Sequence, residues 1–186
     1  MPERVEETRQ YGTHVGILRG WRFCPRCRAE LTNHGSKVEC SACGFERYAN
    51  ALPAVAALVV DDAGRILLAR RAHKPDAGLW DTLGGFLEED EHPLAGLRRE
   101  IREEAGVAIE VGNFVDTYPD RYGDGEDAPV ALNLVWEATL AGDEIELVPA
   151  DDVSELRWFD RDALPGDDEL AFRWLARFLD DHVRRP

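Results

Sequence analysis

Residues Gly85–Val107 read GFLEEDEHPLAGLRREIREEAGV, and the rest of the chain is interpreted outward from them. Pro93 suits the first position of a helix and Gly106 sits where a helix stops, so a helix is expected between them. Leu94, Leu97, Ile101 and Ala105 recur at helical spacing and form an apolar stripe for a core. Glu100, Glu103 and Glu104 stand at i, i+3 and i+4, which puts three carboxylates on another face of that helix. Like charges at this spacing repel by a few tenths of a kcal/mol each, so the cluster points to a bound cation. Carboxylate oxygens suit hard divalent ions, and Mg²⁺ keeps room in its shell for water and substrate phosphates.

The stretch resembles the signature of the Nudix hydrolases, G-x5-E-x7-R-E-U-x-E-E-x-G-U with U aliphatic. Gly85, Glu91, Arg99, Glu100, Ile101, Glu103, Glu104, Gly106 and Val107 meet every fixed position. The resemblance implies Mg²⁺ or Mn²⁺ held by Glu100, Glu103 and Glu104 together with the backbone carbonyl of Gly84. It also implies a supporting role for Glu91. Arg99 lies four residues before Glu103, so an ion pair would hold that carboxylate in place. Two positions depart from the family's habit. His92 takes the N-cap, where Ser, Thr, Asp or Asn is usual. Gly96 replaces alanine, at about 1 kcal/mol of helix propensity.

A chain of 186 residues, 44% hydrophobic, holds one ordinary domain and a small module. The net charge of −15 argues against nonspecific binding of nucleic acid or anionic membrane. Nucleic acid is therefore not the expected partner. The N-terminus MPERVEETRQ is charged and no stretch has the apolar length of a membrane span, so a cytoplasmic protein is expected.

Residues 1–20 carry no motif and read as a tail or a short helix. Cys24, Cys27, Cys40 and Cys43 follow with the spacing C-x2-C-x12-C-x2-C, which places four thiolates tetrahedrally around Zn²⁺ and resembles a zinc ribbon over residues 21–48. The competing reading, two disulfides in a secreted module, conflicts with the absence of a signal peptide. Four cysteines close the zinc shell, so this metal is structural. From Trp21 to Tyr48 five Arg or Lys stand against three Glu, and the module's role is open between docking surface, dimer contact and nucleic-acid reader. A homodimer is compatible with this.

From Leu52 the pattern turns to strands. PAVAALVVD and RILLARR read as a hairpin, apolar enough to be buried on both faces. VAIEVGNFVDTY, APVALNLVWEATL and SELRWF read as further strands, with PDRYGDGED as a polar loop, and DDELAFRWLARFLDDHV reads as an amphipathic helix capped by an aspartate. The fold expected is an α/β/α sandwich with a mixed sheet over residues 52–182, of the Nudix kind, preceded by the zinc module.

The signature leaves the general base open. Glu155 is the first candidate, with Asp152 and Glu137 behind it. Arg70, Arg71 and Lys74 stand where a phosphate could be contacted, and Tyr118 and Tyr122 where a base could stack. The order of ribbon and Nudix domain is similar to that in NADH pyrophosphatases, but the SQPWPFP-like array of those enzymes is absent. The proline typical of ADP-ribose-specific relatives is not met cleanly either, by Pro119 or by Pro129. The general resemblance to small ADP-ribose-type pyrophosphatases implies a nucleoside diphosphate linked to another group, ADP-ribose first. The alternatives are an idle ligand-binding regulator and an RNA 5′-end pyrophosphohydrolase.

Overall fold

The computed structural model describes residues 16–123, 125, 127–142 and 146–184; residues 1–15, most of the expected tail or short helix, lie outside the described residues. The chain divides into two compact units, one built on residues up to Asn50 and one on Ala51–Asp124 and Pro129–Pro186. Each is described by itself.

The first unit is a meander of three antiparallel strands, β1 (Thr32–Asn33), β2 (Lys37–Glu39) and β3 (Glu46–Tyr48). Two matching turns carry the cysteines. The Cys24 N–H donates to the Ala29 carbonyl and the Arg28 N–H to the Cys24 carbonyl, and Cys40, Phe45 and Gly44 repeat the arrangement. Both turns end left-handed, at Gly44 (φ 71°) and at Arg28 (φ 65°), where only the glycine is free of strain. Packing begins before Trp21, since Leu18 is fully buried and its carbonyl accepts from Asn33 Nδ2.

In the second unit, strands β4 (Leu52–Val59), β5 (Ile66–Arg71), β6 (Trp80–Asp81), β7 (Leu83–Phe86), β8 (Ile109–Arg121), β9 (Val130–Leu140) and β10 (Val153–Phe159) form two sheets. Their orders are β7-β4-β9-β8 and β10-β5-β6. The β4–β9 pair is parallel and the other strand pairs are antiparallel, so the sheet is mixed as expected. The helices are α1 (Pro93–Ala105) and α2 (Arg173–His182). Val55, Ala57, Val59, Leu67 and Ala69 pack with Leu97, Ile101 and Ala105 of α1. The alternate residues Ala56, Leu58, Ile66 and Leu68 pack with Trp174, Leu175, Phe178 and Leu179 of α2. Burial on both faces is what the continuous apolar runs predicted, and it makes the α/β/α sandwich.

Three expectations are corrected. β4 and β5 are not a hairpin: both edges of β4 are taken by β7 and β9, so after a single Val60–Ile66 bridge the chain passes into the other sheet. The loop PDRYGDGED starts later than expected, because Pro119, Asp120 and Arg121 still pair with β9; Pro119 is tolerated there because β8 is an edge strand. The final helix also begins late. Asp167–Glu169 is one 3₁₀ turn, Leu170 then bridges to Trp80, and α2 starts at Arg173. Its cap comes from another element: Asp120 of β8 accepts from the Trp174 N–H at 2.9 Å. Among the described residues no helix is long and apolar enough to cross a membrane.

Candidate active site and metal centres

Helix α1 carries the signature glutamates, and its ends are built from the sequence around them. His92 is indeed the N-cap, its Nδ1 accepting from the Leu94 N–H at 3.3 Å, and Gly106 closes the helix with φ 71°. Gly96 is explained by crowding. A Cβ there would lie 2.5 Å from Leu87 Cδ2 and 2.8 Å from Glu91 Oε2, so the glycine gives up helix propensity to admit the preceding loop.

Arg99 organises the signature. Its guanidinium meets both oxygens of Glu91 at 2.9 and 2.7 Å, Glu100 Oε1 at 2.8 Å, Glu103 Oε2 at 3.1 Å and the Phe86 carbonyl at 3.3 Å. The Arg99–Glu103 pair is therefore one arm of a larger fork. The same guanidinium, with the Glu88 N–H, holds the Glu91 carboxyl down at about 2. Glu91 anchors Arg99, which in turn spaces Glu100 and Glu103.

The two glycines before the loop make room. Gly84 has φ 140°, and a Cβ on it would sit 2.1 Å from the Val55 carbonyl of β4. A Cβ on Gly85 would lie 2.6 to 2.7 Å from all three carboxyl atoms of Glu100. The close approach at Gly84 is thus to a neighbouring strand, and at Gly85 to a glutamate. Gly85→Ala should leave the fold intact, since Gly85 has ordinary backbone angles and the Glu100 side chain can swing aside. The displaced carboxylate should lower kcat roughly tenfold or more. Thermal unfolding and steady-state turnover of the one variant check both halves, and wild-type turnover would refute the placement of Glu100.

A cavity of about 280 Å³ opens beside α1. Glu100, Glu104, Asp151 and Asp152 give it an acidic end, and Phe86, Tyr122, Phe172 and Trp174 give it an aromatic wall. Glu104 is 6% exposed, and its Oε2 accepts from the Gly84 N–H at 2.9 Å. Burial pushes its carboxyl well above the usual range; the Gly84 N–H opposes this, while the charges of Asp152, Asp81 and Glu100 add to it. Glu100 is raised as well, by burial first, against the pull of Arg99. Burial also lifts Asp81 to about 6 although Arg71 lies 3.2 Å away. A buried carboxylate in a cavity wall shared with Glu100, Asp151 and Asp152 is costly unless a cation joins them, and hard oxygens of this kind suit a divalent ion. Glu103, half exposed and absent from the cavity lining, is paired with Arg99 at 3.1 Å.

The remaining candidates separate by strand geometry. Arg71 lines the cavity, bonded to the Pro75 carbonyl, Asp81 and the Tyr122 hydroxyl, with its guanidinium carbon 5.1 Å from the Phe172 ring centre. Arg70, its neighbour in β5, is turned away to the Gly78 carbonyl and Glu155. Tyr122 reaches the cavity wall, edge-on to Phe86 and stacked on Phe172. Tyr118 does not: it is 4% exposed, packs against Trp174 and Phe178, and donates to Asp181. Glu155 is likewise displaced as a candidate base, its carboxylate taken by Arg157 and Arg70 outside the cavity wall. Glu137 is also outside and accepts from Asn113. Asp152 lines the cavity. Asp81, Asp120, Phe172 and Trp174 were not singled out by sequence. An acidic residue between Trp80 and the glycines was the one available signal; the others arrive from distant segments.

In the first unit the four cysteine sulfurs lie within 4.8 Å of one another, the one such convergence of His, Cys, Asp or Glu groups among the described residues. Cys24–Cys43 and Cys27–Cys40 are separated by 3.6 and 3.5 Å, far beyond a disulfide bond. A tetrahedral zinc with Zn–S near 2.3 Å needs sulfurs about 3.8 Å apart, so the group fits Zn²⁺. For Cys24 burial is outweighed by the N–H groups of Cys27 and Arg26, and its thiol comes down to about 7.

The NUDIX domain family model matches residues 51–181. The chain is 30% identical over 184 residues to the NAD-capped RNA hydrolase NudC of Stutzerimonas stutzeri, covering 95% of this chain and 63% of that protein. It is 31% identical over 175 residues to the NAD-capped RNA hydrolase NudC of Pseudomonas aeruginosa, covering 92% and 59%. It thus spans less than two thirds of the length of these relatives. Among solved structures it is similar to a NUDIX hydrolase from Nitrosomonas europaea, with TM-score 0.67 and 23% identity over 87% of this chain and 92% of that one. It is also similar to a MutT NUDIX hydrolase from Burkholderia pseudomallei, with TM-score 0.60 and 29% identity over 72% and 98%.

Proposed function

Because the chain belongs to the Nudix family, we propose that it is a pyrophosphohydrolase that cleaves the diphosphate linkage between a nucleoside and a second group, with ADP-ribosyl compounds as substrates. One observation carries the reading. Glu104 is buried in the wall of a cavity that Glu100, Asp151 and Asp152 also line, an arrangement that favours a divalent cation and the phosphates it would bring. Such a set of acidic groups has no purpose in an idle ligand-binding domain.

Glu100, Glu103, Glu104 and the Gly84 carbonyl are the proposed ligands for Mg²⁺ or Mn²⁺. When bound, the ion would acidify water and neutralise phosphate oxygens. Arg99 and Glu91 hold the carboxylates in place for it. Asp152, in the cavity wall, is the group we assign to take a proton from the attacking water. Arg71 is fixed by Asp81 and turned to the cavity, where it would face a phosphate or the edge of a base. Phe86, Tyr122, Phe172 and Trp174 form the wall on which a base would lie. Zn²⁺ on the four cysteines is structural, and cysteines free of disulfide bonds go with a cytoplasmic address.

ADP-ribose, NADH and NAD-capped RNA share an adenosine diphosphate core, so one site of this kind serves any of them. The names of the relatives favour RNA as a second reading. A panel of ADP-ribose, NADH, NAD-capped RNA, FAD and nucleoside triphosphates, assayed with Mg²⁺ and with Mn²⁺, tests both. ADP-ribose is expected to exceed NADH and the triphosphates in kcat/KM. A value for NADH or a triphosphate about tenfold above ADP-ribose would overturn the substrate. Turnover of none of them would overturn the hydrolase.

A further inference from the structure

Among the described residues Thr82, Glu104 and Asn133 are the buried polar side chains. Asn133 lines the cavity, is 8% exposed, and takes no part in the chemistry above. Its place in the sheet is fixed by register. Asn133 lies opposite Ala54 of β4 on one side and Tyr118 of β8 on the other, and Ala54 lies opposite Phe86 of β7. Residues paired in this way share a face, so Phe86, Ala54, Asn133 and Tyr118 form one row across the four strands, on the side that α2 covers. Phe86 and Asn133 stand two strand spacings apart, roughly 10 Å, with only the Ala54 methyl between them. Ala56 and Ala131, two residues along β4 and β9 from that row, keep the cavity floor shallow beside it.

The two ends of the amide differ. Nδ2 donates to the Tyr118 carbonyl at 3.0 Å, and because a carbonyl only accepts, that bond fixes which end is oxygen. Oδ1 has no hydrogen-bond partner among the described residues, and no side-chain oxygen or nitrogen without a partner is sealed from solvent there. Oδ1 therefore opens into the cavity that the residue lines. Its neighbours on that face of β9, Ala131 and Val135, are apolar, so packing alone asks for no amide. An acceptor in so enclosed a place is costly unless a donor meets it. Asp120, opposite Ala131, has both oxygens engaged already, by the Arg121 and Trp174 N–H groups. The Tyr118 carbonyl accounts for the nitrogen of Asn133; a ligand N–H would account for its oxygen.

We propose that Asn133 Oδ1 accepts a hydrogen bond from the exocyclic amino group of the substrate's adenine, and so selects adenine over 6-oxopurines such as hypoxanthine. The inference rests on the reading of the substrate as an ADP-ribosyl compound, and adds the residue that tells its base from others. The aromatic wall begins in the same row, at Phe86, so a base lying along that wall over the alanine floor brings an edge to Asn133. The amino group of adenine donates, whereas a 6-oxo group is an acceptor and sets oxygen against oxygen. A site built on a hydrogen bond to an N–H rejects the analogue lacking it more strongly than an apolar pocket rejects a change of size.

The probe is AMP, which has no diphosphate to cleave, titrated calorimetrically against the full chain with Mg²⁺ present. Purine riboside 5′-monophosphate, with hydrogen in place of the amino group, and IMP are the comparisons. AMP is expected to bind at least about tenfold more tightly than either. Asn133→Leu keeps the shape of the side chain and removes the acceptor. It should weaken AMP about tenfold and leave purine riboside 5′-monophosphate unchanged, so that the preference disappears; Asn133→Ala should abolish it too. A residue that served only to hold β8 through the Tyr118 carbonyl would shift all three ligands alike. Equal wild-type affinity for AMP and purine riboside 5′-monophosphate would overturn the proposal whether or not the variants fold. So would a variant that keeps the wild-type preference, or no saturable binding of AMP by about 1 mM. A variant that loses affinity for nicotinamide mononucleotide but not for AMP would give Asn133 to a carboxamide instead, and overturn it as well. Failure of every substrate in the panel above would overturn the hydrolase and leave this binding preference standing, whereas equal binding of the three ligands beside rapid turnover of ADP-ribose would overturn only the role of Asn133.

Discussion

Glu104→Gln is expected to lower kcat by at least about 10²-fold while leaving the fold as stable as before, or more stable, when no divalent cation is present. Both halves follow from the surroundings of one carboxylate. Glu104 is buried, its Oε2 meets the Gly84 N–H, and it stands among the like charges of Asp152, Asp81 and Glu100. Without a cation that charge costs the folded state, so a neutral amide of the same size relieves it. With a cation the balance reverses, since the wild type gains a ligand charge that glutamine lacks. At a hundredfold excess over its Kd the ion should raise the wild-type Tm by about 5 °C or more and the variant's much less. Thermal scans of both proteins, with and without Mg²⁺, read this crossover apart from any substrate. Equal Mg²⁺ shifts, or wild-type turnover in the variant, would remove Glu104 from the site.

What could be read from the sequence was local. The α1 helix followed from Pro93, Gly106 and a 3.6-residue period, all within one stretch, and the structure adds only that Leu94 is half-buried while Leu97, Ile101 and Ala105 are fully so. The cysteine turns were legible because each pair lies within a single turn. The runs in β4 and β5 announced burial on both faces, yet nothing in them says which strand lies alongside. That choice is made by the competition of β7 and β9 for the two edges of β4, segments far off in the chain.

The same limit explains the site. Arg70 and Arg71 differ by one step of a strand, which decides between solvent and cavity once the sheet is known and is undecidable before. Tyr118 and Tyr122 flank the same turn-rich segment, but Tyr118 is captured by α2. Asp120, read as part of a loop, caps that helix across 54 positions of sequence. Glu155 stood ahead of Asp152 as a candidate base, but a register shift between Val153 and Glu155 leaves Glu155 opposite Arg70, while Asp152 lines the cavity. Side-chain chemistry was visible throughout; its direction depended on partners that no local pattern names.

Cys24→Ser should release the zinc and unfold the module that carries it, and should leave residues 52–182 folded. A unit with three strands of two or three residues each buries too little to stand on apolar contacts, so the metal must supply its folding free energy. Apparent binding energies of about 10 to 16 kcal/mol for zinc in such small folds exceed anything Leu18 and Val38 provide at about 1.5 to 3 kcal/mol each. The second unit has its own two cores, on either face of β4 and β5, and none of their residues comes from the cysteine module. Loss of the zinc should therefore cost the first unit its structure and the second unit little of its Tm. Metal analysis of protein purified without chelator should find one zinc per wild-type chain and none in the variant. Trypsin should then cut the variant at Arg22, Arg26, Arg28 or Arg47 while residues beyond Asn50 resist. Wild-type protein without zinc, or a variant module as resistant as the parent, would show that the four thiols hold no structural metal.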